Sequence, residues 1–345
     1  MKRSTLALAL SCVMFSAASM ASTPIQLSSF NNLPDDNEVN GFHGSFLYSD
    51  TGTVNGFDLP ILGYGELEQL NGLQLGAVAG SHIRNGMNGM AIGLFNWHGG
   101  WDNGVNIGLG NKVGDLSGVN LGLYSAAKSV TGANFGIITQ TGSMKGLNIG
   151  LLGNYTAENR DGINVATVNW TQKDSTGINL TALNHSGNTK GVNIGALGNW
   201  SEGDIEGINL GLVNVSGNVT GLNLAPLYNL SQDTVGVNFA AFNMSHNVQG
   251  ANIGLVNRTN DVQGGNIGVV NVAHNVNGMN VGAVNASTGF TNADIGAFNY
   301  SDSTSFQIGL VNATKHLEGL QIGVINIATN ATVPVLPLIN YHRTF

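Results

Sequence analysis

Cysteine, charged residues, proline and aromatic residues are all scarce in this chain of 345 residues. The one cysteine, Cys12, lies in a segment that we predict to be removed, which would leave no thiol chemistry and no disulfide. Only 9% of the residues are charged, and acidic residues outnumber basic ones by 20 to 12. This balance argues against a nucleic-acid partner, because nucleic acid selects basic surfaces. No later stretch reaches the roughly 18 consecutive apolar residues of a transmembrane helix, so none is expected.

The first 21 residues have the pattern of a signal peptide. Lys2 and Arg3 give a positive start, a short apolar run extends from Thr5 to Phe15, and Ser19-Met20-Ala21 is a small-residue cleavage site. The apolar run is too short to cross a bilayer as a helix. The sequence therefore predicts an exported protein.

One eight-residue motif recurs through most of the chain. A representative copy is Gly250 to Asn257, with the sequence Gly-Ala-Asn-Ile-Gly-Leu-Val-Asn. The eighteen copies are mostly 14 residues apart and begin at residues 72, 89, 104, 118, 132, 146, 162, 177, 191, 207, 221, 236, 250, 264, 278, 292, 305 and 319. A fixed short period is typical of stacked repeats. We predict four segments: a signal peptide (1–21), an N-terminal cap region (22–71), a tandem-repeat β domain (72–331) and a C-terminal cap or closing strand (332–345).

Composition and spacing predict an all-β fold, because the chain has 50 glycines and many asparagines, which oppose helix formation. Positions 2, 4, 7 and 13 of each unit, counted from the opening Gly, are mostly apolar, and we expect them to face inward. The odd step from 4 to 7 requires a bulge or a turn, which the Gly at position 5 permits. This predicts a β-solenoid with one coil per repeat. The alternative is an outer-membrane β-barrel, favoured by export and by the terminal Phe345 but opposed by the broken alternation.

Asparagine is the most regular polar residue of the repeat. Position 3 is Asn in thirteen copies, and stacked copies about 4.8 Å apart would form hydrogen-bonded ladders. We predict a structural ladder of Asn209, Asn223, Asn238, Asn252, Asn266 and Asn280. Position 8 is also usually Asn, and it arrives one residue late at Asn154, Asn199 and Asn229. This delay predicts a bulge in each of those three coils.

The residue after the position-8 Asn is aromatic or His in four consecutive units. These residues are Tyr155, Trp170, His185 and Trp200. If exposed, such a strip would suit an extended glycan, because apolar sugar faces pack on aromatic rings. The alternative is that the rings fill a wide corner inside the solenoid. A second aromatic group, comprising Phe95, Trp97 and Trp101, lies near the first coils.

The tandem Gly-x-(Asn/Gln)-Ile-Gly-Leu-Val-Asn units after a signal peptide resemble a family of bacterial surface-repeat proteins. The units that match best are Gly207 to Asn214, Gly250 to Asn257 and Gly319 to Asn326, and the resemblance covers roughly residues 70 to 340. It implies a location at the cell surface or outer membrane of a Gram-negative bacterium. The family carries no assigned catalytic residues, so the resemblance implies no enzyme chemistry.

The residues that carry catalytic or metal chemistry form no pattern in this sequence. The eight histidines are dispersed, Asp35, Asp36 and Glu38 lack the Glu that closes a calcium loop, and no Gly-x-Ser-x-Gly elbow occurs. We expect no catalytic residues, no metal and no cofactor. The prediction is a non-enzymatic exported protein, secreted or associated with the outer membrane, in a structural or adhesive role. It would present a long polar face to a surface glycan or protein partner; a barrel-type pore and a glycan-active enzyme are the alternatives.

Overall fold

The computed structural model describes residues 23–76, 78 and 82–343. The predicted signal peptide and Phe345 lie outside these residues. The described residues form two compact units, which divide between Ala166 and Thr167. The strands that begin in the first unit are β1 (Thr23–Ser28), β2 (Asn32–Leu33), β3 (Glu38–Ser45), β4 (Tyr48–Pro60), β5 (Tyr64–Leu75), β6 (His82–Ile92), β7 (Phe95–His98), β8 (Trp101–Ile107), β9 (Gly110–Leu121), β10 (Tyr124–Thr156) and β11 (Arg160–Thr171).

The second unit continues the same pattern of long and short strands. Its strands are β12 (Ser175–Ser186), β13 (Thr189–Ser201), β14 (Ile205–Val215), β15 (Val219–Arg258), β16 (Asp261–Ala273), β17 (Asn275–Val281), β18 (Val284–Ile295), β19 (Phe298–Ala328) and β20 (Val335–His342). The 40-residue β15 exceeds one 14-residue repeat, so its ladder pairing continues through the corners of several coils.

Within each unit the repeats pair in parallel, one repeat above the next. Between β15 and β16, Gly250 pairs with Gly264 and Asn257 pairs with Asn271, so every residue lies beside its counterpart in the neighbouring repeat. β9 and β10 show the same register in the first unit, where Gly118 pairs with Gly132. Parallel pairing at this offset requires each repeat to close one coil. The predicted β-solenoid is confirmed, and this pairing decides between the two architectures that the sequence left open.

Coils are present before the first repeat of the sequence motif, and antiparallel strands lie near both ends of the described chain. β3, β4 and β5 already pair in parallel, with Gly41 beside Gly56 and Gly56 beside Gly72. Near the N-terminus, β2 pairs antiparallel with β1. In the second unit β20 pairs antiparallel with the last segment of β19, from Gly319 opposite His342 to Ile327 opposite Val335.

The interior of the coils is largely polar, and this corrects the predicted orientation of the strands. In the coil that starts at Gly250, Asn252 and Asn257 at positions 3 and 8 are 0% exposed, whereas Leu255 at position 6 is 55% exposed. Positions 3, 8, 10 and 13 face inward, whereas 2, 4 and 7 face outward. Of the four positions predicted to be inside, only position 13 is, as Val248 and Val262 illustrate. The asparagines of positions 3 and 8 therefore do not contribute a polar face to the surface, because they are buried.

Hydrogen bonds between coils explain why so many asparagines can be buried. Asn257 Nδ2 donates to Asn271 Oδ1 at 2.8 Å and to the Ile267 carbonyl at 3.0 Å, and Asn271 repeats this pattern toward Asn285 and Val281. Each amide thus bonds the next amide and a carbonyl group of the next corner. Burial of an amide is costly only when it lacks partners, and stacking supplies them along this column.

The ladder predicted at position 3 forms in part. Asn238, Asn252, Asn266 and Asn280 are joined by side-chain hydrogen bonds of 2.9 to 3.0 Å. Asn209 bonds Asn223 at 3.3 Å, but the Nδ2 atom of Asn223 has no hydrogen-bond partner among the described residues. The break falls in the coil that contains the late Asn229. An extra residue in one coil thus coincides with a lost rung.

Replacing Asn257 by Ala is expected to lower the free energy of unfolding by about 3 kcal/mol. The change leaves Asn243 Nδ2, Asn271 Oδ1 and the Ile267 carbonyl each without one partner, and an unsatisfied buried group costs about 1–3 kcal/mol. Urea unfolding followed by circular dichroism measures it. Asn277→Ala is the matched control, because exposed Asn277 accepts a similar bond from Asn292 and should change stability by less than about 0.5 kcal/mol. Equal effects of the two changes would contradict the role of burial.

Candidate functional site

An exposed row of three rings is the most distinctive surface feature of the second unit. Trp170 and His185 are stacked with ring centroids 4.1 Å apart and ring planes 14° apart, and the His185 and Trp200 centroids are 6.4 Å apart at 44°. Trp170 is 46% exposed and Trp200 59%, whereas the His185 side chain is 16% exposed. We call Trp170, His185 and Trp200 the aromatic strip. Its rings point outward, so they do not fill a corner of the interior.

The strand register explains why the three rings align. Each ring follows a buried Asn at position 8, and His185 pairs directly with Trp200 between β12 and β13. The neighbouring pairings shift between Thr181 and Leu183 and between Gly195 and Gly198, as predicted for the coil with the late Asn199. The extra residue near Leu197 restores the alignment of the rings by the time the strand reaches Trp200.

A shallow apolar cavity of about 340 Å³ borders the aromatic strip. Besides the rings, it is lined by the side chains of Val168, Leu183, Leu197, Val213 and Val215. A carboxylate lies at its edge: Glu202 Oε1 is 3.2 Å from His185 Nε2, and the Glu202 side chain is 66% exposed. The site therefore combines an apolar platform with one accessible hydrogen-bond acceptor at its edge.

Tyr155, the fourth residue of the predicted strip, belongs to the first unit. It lines a groove of about 710 Å³ together with Trp97, Lys112, Tyr124 and Gln140. Lys112 Nζ lies 5.3 Å from the centre of the Trp97 ring, and the Tyr124 hydroxyl donates to Gln140 Oε1 at 2.7 Å. Each unit thus carries its own aromatic surface.

The first unit carries a further row of rings that was not predicted from the sequence pattern. Tyr64, His82 and Trp97 follow one another with ring centroids 6.2 and 4.7 Å apart. Burial, followed by the nearby His98, lowers the pKa of His82, which favours its neutral form. The sequence contains a pattern that could have predicted this row, because Trp97 directly follows Asn96 just as Trp170 directly follows Asn169.

Buried polar groups of the first unit resemble a catalytic arrangement but lie inside the coils. His43 Nδ1 is 2.6 Å from Asp58 Oδ1, and Ser28 Oγ is 3.4 Å from His43 Nε2. Ser28 is 5% exposed and the other two are 0% exposed. The Ser28 hydroxyl donates instead to Asn32 Oδ1 at 2.7 Å, so its proton is not directed at the imidazole. These residues continue the hydrogen-bonded interior toward the N-terminal end.

Residues 23–76, 78 and 82–343 contain no group of three or more His, Cys, Asp or Glu residues that could hold a metal ion. No helix within the same ranges has the length and apolarity needed to cross a bilayer.

The fold and the repeated register define a β-solenoid repeat protein. Comparisons with family models, with curated proteins and with solved structures gave no match to this chain. Assignment of a function therefore depends on the aromatic strip and on the chemistry of the surfaces around it.

Proposed function

We propose that this chain is a non-enzymatic, exported surface-repeat protein that binds an extended glycan along the aromatic strip. The observation that carries the proposal is the pair of exposed indole rings, Trp170 and Trp200, aligned two coils apart with His185 on the coil between them. Aromatic rings bind the C–H faces of sugars through apolar contact, and their flat surfaces lose little conformational freedom on binding.

The dimensions of the aromatic strip suit a polymer better than a single sugar. Trp170 and Trp200 are two coils apart, which corresponds to about 10 Å along the stack. This separation is comparable to the length of a disaccharide. A glycan running parallel to the stack would contact both indoles and the apolar cavity beside them. A flat, open platform accommodates the interior of a long glycan chain, whereas an enclosed pocket would bind only the end of such a chain.

The charge near the aromatic strip favours a neutral glycan or one that bears amino groups. Glu202 is the carboxylate at the edge of the site, and it can accept hydrogen bonds from sugar hydroxyls. No lysine or arginine is among the residues that line the cavity of about 340 Å³. An acidic glycan would therefore meet a carboxylate without a compensating positive charge.

Trp170→Ala and Trp200→Ala are each expected to weaken glycan binding about tenfold. An aromatic contact of this kind contributes roughly 1 kcal/mol or more, and 1.4 kcal/mol corresponds to a factor of ten in Kd. A glycan array identifies the ligand, and isothermal titration calorimetry then measures Kd for each variant. Because both rings are about half exposed, thermal stability should change little.

Trp101→Ala is the matched control for this test. Trp101 is 45% exposed, so it resembles Trp170 in accessibility, but it belongs to the first unit. The control should leave binding unchanged. Unchanged binding in both strip variants, or a binding loss that follows a loss of stability, would refute the proposal.

The proposed location is the cell surface or outer membrane. The pattern of the first 21 residues and the resemblance of the repeats support it. Fractionation of the native host is the direct test, by comparison of culture medium, carbonate wash and detergent extract. Recovery in the cytoplasmic fraction, with the first 21 residues retained, would contradict export.

A further inference from the structure

The outward side of positions 2 to 7 is an uncharged apolar surface along the second unit. From Gly236 onward, eight of its residues at positions 4, 6 and 7 are about half exposed. They are Phe239 (50%), Phe242 (48%), Leu255 (55%), Ile267 (48%), Val269 (51%), Phe298 (54%), Leu310 (55%) and Val324 (60%). We call this surface the apolar face. Contiguous exposed apolar areas of this kind mark interaction surfaces on proteins.

Charge is excluded from the apolar face by the sequence itself. Across the eleven repeats that begin between Gly177 and Gly319, positions 2 to 7 include a single charged residue, Asp294. That residue points inward and is 0% exposed. The other charged residues of the unit occupy positions outside this segment, as Arg258 does at position 9 and Asp261 at position 12. Charged residues are thus confined to the remaining part of each coil.

The apolar face is large enough to support a stable complex. Eleven coils at about 4.8 Å give a length of roughly 50 Å, and the six residues span roughly 20 Å of backbone. A corner between positions 4 and 7, where β17 ends at Val281 and β18 begins at Val284, divides this width into two adjoining strips. The product is on the order of 1,000 Å², whereas a standard protein interface buries about 800 Å² on each partner. The side chains also form ridges, and a groove of about 560 Å³ runs between Phe239, Ile253, Leu255, Ile267 and Val269.

We propose that the apolar face is the dimer interface between two copies of this chain. A second copy offers the same uncharged ridges at the same coil spacing, so the ridges of one copy can lie in the grooves of the other around a two-fold axis. A lipid surface is a poorer occupant, because residues 167–345 carry nine acidic and five basic side chains and would be repelled by anionic lipids. The proposal does not depend on glycan binding; Leu183, Leu197 and Val213 at position 7 of the first three of these coils also line the cavity beside the aromatic strip, so a glycan and a second copy would compete for that end of the face.

Sedimentation velocity of residues 22–345 without detergent tests the proposal. The wild-type chain should sediment as a dimer at micromolar concentration, and the double variant Leu255→Arg, Val269→Arg should sediment as a monomer. Two buried guanidinium groups without partners should raise the dissociation constant about 100-fold or more. A second double variant, Leu310→Arg, Val324→Arg, alters the same face in other coils and should act alike. Circular dichroism verifies that each variant is folded.

Val272→Arg is the matched control. Val272 is 38% exposed and pairs with Arg258 of the preceding coil, so its column already accepts an arginine. This variant should remain dimeric. A monomeric wild type at 100 µM, a dimer that survives in both folded double variants, or a control that dissociates equally would overturn the proposal. Flotation of a monomeric wild type with uncharged phosphatidylcholine vesicles would assign the face to lipid instead.

Discussion

Gly264→Ala is expected to lower the free energy of unfolding by more than about 3 kcal/mol. Gly264 has φ of +138°, a conformation that is essentially restricted to glycine and costs other residues on the order of 1–3 kcal/mol. A β-carbon at this position would also collide with the carbonyl oxygen of Gly250 in the neighbouring coil. That oxygen belongs to the backbone of the stack, so it cannot move without disturbing the coil.

The adjacent Gly265 provides a matched control for this prediction. A β-carbon there would have Met279 O as its nearest neighbour, at 3.4 Å, and the preceding repeat carries Ala251 at the equivalent position. Gly265→Ala should therefore change stability by less than about 0.5 kcal/mol. Thermal and urea unfolding of both variants measures the difference. Similar stabilities of the two variants would mean that the φ value and the close contact at Gly264 do not constrain the stack.

Asp294→Asn is expected to stabilise the chain at neutral and alkaline pH by up to about 3 kcal/mol. Asp294 occupies position 3, where other coils carry Asn, and it accepts hydrogen bonds from Asn280 at 2.9 Å and from Gln307 at 3.2 Å. Burial raises the pKa of Asp294 from 3.8 to about 6, against the opposing effect of these two hydrogen bonds. Each pKa unit corresponds to about 1.4 kcal/mol, which gives the expected magnitude.

The sign of the effect follows from proton binding. Because the folded state binds this proton more tightly than the unfolded state, the favourable contribution is complete below pH 3.8 and is lost as pH rises through about 6. The stability difference between the variant and the wild type should therefore increase between pH 4 and pH 6.5 and stay constant above. An asparagine at 294 continues the ladder when the amides of Gln307 and Gln321 both reverse, because Gln307 Oε1 accepts a hydrogen bond from Gln321 Nε2 at 2.9 Å.

Asp302→Asn distinguishes burial from a general effect of removing negative charge. Asp302 lies on the surface, and hydrogen bonds from Lys315 and then Tyr300 lower its pKa, so its contribution is present at neutral pH and is lost on acidification. This variant should show no gain in stability at pH 8. Urea unfolding at several pH values measures all three proteins. A pH-independent difference between Asp294→Asn and the wild type would contradict a titrating Asp294.

Much of the fold could be predicted from the spacing of a few residues. The 14-residue interval between Gly250, Gly264 and Gly278 defines the coil and its register, because parallel stacking places equivalent residues side by side. The delay of Asn199 by one residue likewise predicted the register shift between Gly195 and Gly198. These features depend only on chain length between equivalent positions.

The inward face could not be derived from the same pattern. Ile253 beside Asn252 is compatible with either face inside, and apolar burial argues for Ile253 in an isolated strand. The stack reverses this preference, because Asn252 receives a hydrogen bond from Asn238 and donates one to Asn266. Such bonds exist only between coils, so a single repeat does not contain the information that decides its own orientation.

The candidate site shows the same difference between what the sequence predicts and what the tertiary structure decides. The order Asn169-Trp170, Asn184-His185 and Asn199-Trp200 predicts from sequence that the three rings align. Tertiary structure decided that the two indoles are exposed and that His185 stacks on Trp170, because each ring follows an asparagine that is buried. The sequence by itself determined the period, the register and the order of residues in each column. Only the tertiary structure decided which columns are buried, since the hydrogen bonds that stabilise a buried amide come from the coils above and below it.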